Sequence, residues 1–148
     1  MAIWPYLLFG FAAGAMLPIQ FGINAQLANW VDSPLRATLV SFAVGTAALF
    51  LVMVAGYRDW PSGGSIAGAP WWVWVGGLLG AFYVLGSVVA APKLGAATLV
   101  AVILAGQAVA SLLVDHYGWV GFDEQAVTPG RVLGIGFVAV GVVLVRLY

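Results

Sequence analysis

Cysteine is absent from this 148-residue chain, which excludes disulfides, thiolate metal sites and cysteine nucleophiles. Charge is scarce as well. Five Lys or Arg and five Asp or Glu amount to 7% of the residues, against roughly 25% in soluble domains. So few charges cannot cover a water-facing surface. With a net charge of zero, nothing resembles the basic footprint of a nucleic-acid-binding protein, and no nucleic-acid partner is expected. The one histidine, His116, has no cluster of further ligands beside it, so no metal or other cofactor is expected. No carboxylates are paired inside the apolar runs, and the parts of a catalytic site are missing, so no enzyme activity is expected.

What the chain has in quantity is hydrophobic length. Sixty-four per cent of it is hydrophobic, and its mean hydropathy is +1.08. Residues 1–31, 37–57, 60–92 and 94–114 carry no charged side chain, and a shorter apolar run lies between Arg131 and Arg146. About 20 apolar residues of helix cross the hydrocarbon of a bilayer. The pattern predicts an all-α integral membrane protein, one domain over residues 1–148, with five transmembrane helices at about 4–28, 34–57, 70–91, 96–117 and 129–147. Unbroken apolar runs are not the alternating pattern of a membrane barrel strand. The first run is read as a retained helix and not a secretory signal. It lacks a basic start, continues past twenty residues and contains Gln20 and Asn24.

Local signals punctuate these spans. Trp4 and Trp30 sit where interfacial aromatics belong, and Trp71, Trp72 and Trp74 crowd the start of the third helix. Pro18, inside the first helix, predicts a kink or a locally opened turn. Asp32-Ser33-Pro34 and Thr128-Pro129 each place a capping hydroxyl before a proline at the first helical position. Pro92-Lys93-Leu94-Gly95 reads as a very short link after the third helix. Residues 118–128 mix Trp119 and Phe122 with Asp123 and Glu124, as suits a segment lying at the headgroups.

Five crossings put the termini on opposite faces. Arg58 and Arg131 fall on the face of the N-terminus, and Arg36, Lys93 and Arg146 on the other. Orientation normally follows excess Lys and Arg on the cytoplasmic side, and here there is no excess. Two readings stand: a tie by chance in a chain with few charges, or dual topology, in which the chain inserts both ways and pairs with an inverted copy.

Polar side chains inside lipid are costly and need a reason. Gln20 and Asn24 are four apart on one face of the first helix, and Gln107, Ser111 and Asp115 are spaced four and four on the fourth. Gln20 lies about 12 Å and Gln107 about 18 Å from the same membrane face at the rise of an α-helix. These amides can line one midplane cavity, with Tyr83, Ser87 and Ser111 as secondary contacts, or they can tie helices together. Ser41, Thr46 and Thr98 are weaker candidates, since membrane hydroxyls often bond their own helix. Asp115 is either a hydrated interfacial group or an ion-coupling site at the mouth of the pathway. Gly130, Gly134 and Gly141 form a small-residue stripe on a fifth helix that has no mid-helix polar group. That helix is expected to pack or dimerise.

The run Gly14-Ala-Met-Leu-Pro18-Ile-Gln20-Phe-Gly22-Ile-Asn24-Ala-Gln26-Leu27, then Ser33-Pro34-Leu35-Arg36 and Ser41-Phe42-Ala-Val-Gly45-Thr46, resembles the YdcZ-like family of the drug/metabolite transporter superfamily. The second half agrees through Pro92-Lys93-Leu94-Gly95, Ala105-Gly106-Gln107 and Ser111-Leu-Leu-Val-Asp115-His116-Tyr117-Gly118. The resemblance implies a five-helix half-transporter of the inner membrane, two halves in opposite orientation making a ten-helix unit. Small multidrug resistance transporters, better-known relatives, carry a cation-binding glutamate in the middle of the first helix. Gln20 and Asn24 occupy that region here, which weakens any expectation of proton-coupled export of cationic drugs. The chemistry of the site favours a small neutral, zwitterionic or weakly polar solute moved by alternating access. The alternative is a membrane assembly or regulatory subunit that transports nothing.

Overall fold

The computed structural model describes residues 2–56 and 63–148, and among the described residues all regular structure is helical. Helix α1 is Trp4–Trp30, α2 is Pro34–Gly56, and α3 is the short Gly63–Ala67. A 3-10 turn, Trp71–Trp74, leads into α4, Val75–Leu94; α5 is Ala96–Tyr117 and α6 is Pro129–Leu147. Five of the helices are long and apolar enough to cross a membrane, the third crossing being Trp71–Leu94. Lipid explains the choice of structure: it offers no partner for a bare N–H or C=O, so each span must satisfy its backbone within itself. The shortest span, α6, has 19 residues and is about 28 Å long, close to the roughly 30 Å of hydrocarbon.

Helix α4 runs through Pro92 to Leu94, past the end expected at residue 91. A proline removes one backbone bond, whereas ending the helix there frees several carbonyls at once. The stop comes at Gly95, whose φ of +75° suits glycine and few other residues. That single residue joins α4 to α5. The capping pairs are in place: Ser33 Oγ accepts from the Arg36 N–H at 3.4 Å, and Thr128 Oγ1 from the Arg131 N–H at 3.3 Å.

The chain divides into two compact units, Met1–Pro18 with Leu94–Tyr148, and Ile19–Lys93. In the second, Ala37, Val84 and Val88 form a buried cluster, with Leu27, Ala28, Val31 and Tyr83 packed on it. Ala37 is fully buried, and its small side chain lets α2 approach its neighbours. Phe21 sets its ring edge against Tyr83, centroids 6.1 Å apart. In the first unit, α5 and α6 pack together at close backbone range. Small residues line the grooves between them: Ala108, Ser111 and Gly134 in one, Ala97, Ala101 and Gly141 in another. Gly134 and Gly141 line these grooves without close contact: a Cβ built at either position meets nothing within 4 Å.

Candidate functional site

Within the Ile19–Lys93 unit, a groove of about 330 Å³ is lined by Gln20 of α1, by Ser41, Phe42, Thr46 and Leu49 of α2, and by Val84 of α4. It gathers an amide, two hydroxyls and an aromatic ring, with no fixed charge. Ser41 and Thr46, weaker candidates from sequence, are thus beside Gln20. One helical turn beyond Gln20, Asn24 is 3% exposed, and its Nδ2 has no hydrogen-bond partner among the described residues. The Tyr83 hydroxyl is likewise buried and unpartnered among them. A buried donor left without an acceptor costs roughly 1–3 kcal/mol. Two such groups, one on Asn24 and one on Tyr83 against Phe21, lie in the same unit as the groove but are not among the residues that line it.

Two of the hydroxyls named from sequence, Ser87 and Ser111, donate to their own helices, as does Thr38, which the sequence did not single out. Ser87 Oγ bonds the Val84 carbonyl at 2.7 Å, Ser111 Oγ the Ala108 carbonyl at 3.0 Å, and Thr38 Oγ1 the Pro34 carbonyl at 2.9 Å. They keep lone pairs to offer as acceptors but have no free proton in these geometries. Gln20, Asn24, Tyr83 and Ser87 belong to one unit; Gln107, Ser111 and Asp115 belong to the other. Gln107 is exposed near the middle of α5.

Asp115, the candidate ion-coupling residue, is engaged by a cation of the chain itself. Its carboxylate meets the Arg131 guanidinium. Arg131 Nη1 also donates to the Gln125 carbonyl at 3.4 Å, and the Gln125 N–H donates to the Asp115 carbonyl at 2.7 Å. The end of α5, the start of α6 and the segment between them are thereby clasped together. Stacking of Tyr117 on Trp119, centroids 5.0 Å apart, adds to it. Sequence reasoning missed this pair because the partners are sixteen positions apart. The usable signal was a carboxylate ending one span and an arginine opening the next on the same membrane face. No group of three His, Asp or Glu side chains suited to a metal occurs among the described residues.

With this geometry in view, comparison with known proteins is informative. Residues 5–144 match the family described as "Putative inner membrane exporter, YdcZ". The chain belongs to this YdcZ family. It is also 29% identical over 141 residues to "Inner membrane protein YdcZ" of Escherichia coli (strain K12), covering 94% of this chain and 93% of that protein. No solved structure matches. With its five apolar spans the chain is a multi-pass inner-membrane protein, and the family's description as an inner-membrane exporter supports a membrane transporter.

Proposed function

We propose that the chain is one half of a small-molecule transporter that works as an antiparallel homodimer. It moves a small neutral, zwitterionic or weakly polar solute by alternating access. The observation that carries this reading is the pair of buried, unpartnered polar groups on Asn24 and Tyr83, in the same unit as the charge-free groove at Gln20. Uncharged donors and acceptors held in apolar surroundings suit a solute that brings hydrogen bonds and little net charge. Gln20, Asn24 and Gln107 are its main contacts, with Tyr83, Ser87 and Ser111 secondary, near the midplane where such folds bind.

Assembly follows from the same physics. Gln107 is exposed on the single chain, and an amide facing lipid lacks the partners it needs. A second copy supplies cover. The near tie of Arg58 and Arg131 against Arg36, Lys93 and Arg146 lets that copy insert upside down. Adding three lysines to one face is expected to turn a two-sided C-terminal reporter signal into a single-sided one. A wild-type chain already wholly in one orientation would contradict dual topology.

Asp115, clasped to Arg131, serves the loop more than the pathway in this reading. Asp115→Asn is expected to lower the thermal midpoint and to leave the pH dependence of transport unchanged. Loss of a proton or cation dependence in that variant would make Asp115 a coupling residue. The transporter reading itself is tested by thermal stabilisation of purified protein against defined sugars, nucleosides, amino acids, organic cations and organic anions. Stabilisation by a neutral or zwitterionic compound supports it, stabilisation by organic cations alone contradicts the substrate class, and stabilisation by none of these compounds contradicts the transporter.

A further inference from the structure

A second cavity, apolar over most of its wall but carrying polar and charged side chains, lies where α1 turns into α2, beside the end of α4. It has a volume of about 490 Å³, and Asn29, Asp32, Ser33, Pro92 and Lys93 are among the residues lining it. All belong to the Ile19–Lys93 unit. Two full charges of opposite sign share its wall, yet they are not paired with each other. Among the described residues the one ion pair is Arg131 with Asp115. Arg36, four residues after Asp32 and the obvious partner for it, donates instead to the Val31 carbonyl at 3.2 Å.

The placing of Asp32 is itself unusual. The Ser33 N–H reaches back to the Ala28 carbonyl at 3.1 Å, the bond that closes a helix over a left-handed residue. Asp32 is that residue, with φ of +53°. Glycine is the unstrained choice there. Aspartate is among the few residues besides glycine that adopt this conformation readily, and its carboxylate, exposed and unpaired, is left at the wall of the cavity, as is the exposed Lys93 ammonium.

We propose that this vestibule binds a small zwitterion, its anionic end at the Lys93 ammonium and its cationic end at the Asp32 carboxylate. An ion of either sign alone meets one attractive and one repulsive wall; a molecule carrying both charges satisfies both. Asn29 and Ser33 offer hydrogen bonds between them. The site lies at the membrane face of the spans, so it is a docking station apart from the Gln20 groove. It narrows the substrate class of the proposed transporter and rests on that reading for its purpose. The same chemistry is found in a free amino acid and in a phosphoethanolamine headgroup.

The experiment uses the full chain in phosphatidylglycerol nanodiscs and isothermal titration with glycine, 4-aminobutyrate, 6-aminohexanoate and phosphoethanolamine. Butylamine and butyrate are the singly charged controls. At least one zwitterion is expected to bind more tightly than both controls. Asp32→Gly and Lys93→Gln are each expected to weaken it about tenfold or more, the scale of one charge-assisted contact. Asp32→Gly should do so while keeping or raising the thermal midpoint, an outcome that a merely structural Asp32 does not produce. Binding of phosphoethanolamine without the amino acids supports the proposal and assigns the headgroup as the source. Zwitterions that bind no better than the controls, or that bind both variants as well as wild type, overturn it. Flux in proteoliposomes separates the two readings. Charge-dependent binding without transport leaves the vestibule standing and removes the transporter. Transport of a zwitterion with unchanged KM in both variants does the reverse.

Discussion

Asn24→Leu is expected to weaken substrate binding by about tenfold to a hundredfold, the scale of losing a buried polar contact, while the folded protein stays at least as stable as wild type. The two halves of this expectation have one cause. The Asn24 amide is buried and its Nδ2 is unpartnered among the described residues, so it is a cost to the empty protein and an asset only when a guest supplies an acceptor. Leucine nearly matches the shape and removes the unsatisfied donor. An apolar replacement of similar shape at such a site is close to neutral or stabilising. Thermal midpoint and ligand-induced stabilisation, measured on the same samples, separate the possibilities. A variant that binds normally but melts early would show that Asn24 ties helices together.

The second large effect is expected in assembly. Gly134→Leu and Gly141→Leu should each weaken dimerisation by about tenfold to a hundredfold, the scale of overpacking a close contact. In the single chain a Cβ at either position meets nothing within 4 Å, and the grooves they line beside α5 have room. The variants should therefore fold, so that a fall in dimer content reports on the contact with a second copy and not on unfolding. Gly130, equally open, extends the same stripe toward the membrane face. Full dimer in both variants, by cross-linking in membranes and by size in detergent, would remove the glycine face of α6 from the interface.

Much of the architecture was legible because lipid imposes a strong rule on sequence. Charge-free runs long enough to cross must be helices, and the starts of α2 and α6 were marked by Ser33-Pro34 and Thr128-Pro129. The end of α4 was misplaced for a physical reason. Proline is a breaker by its missing N–H, but it removes only one bond of the ladder, so the last turn continues past Pro92 and Gly95 ends the helix instead. The polar groups were legible as types and spacings and not as environments. Gln20 and Asn24 share one helical face, yet Gln20 is exposed along a groove and Asn24 is buried. Which of two residues one turn apart is covered depends on what the neighbouring helices present at that level, and periodicity carries no record of it. The Asp115–Arg131 clasp and the left-handed Asp32 were hidden for the related reason that both depend on how connecting backbone turns.

The central claim is that this chain carries a solute through a site built on Asn24, and flux across a membrane tests it most directly. Purified protein is reconstituted into liposomes, which are then exposed to an isotope-labelled mixture of amino acids, nucleosides and sugars. Internal contents are read by mass spectrometry for wild type, Asn24→Leu and protein-free vesicles. The account predicts accumulation of one or a few uncharged or zwitterionic solutes with wild-type protein, reduced to the protein-free level by Asn24→Leu. Equal flux through wild type and Asn24→Leu would contradict it, as would wild-type protein inserted in both orientations that moves none of these solutes.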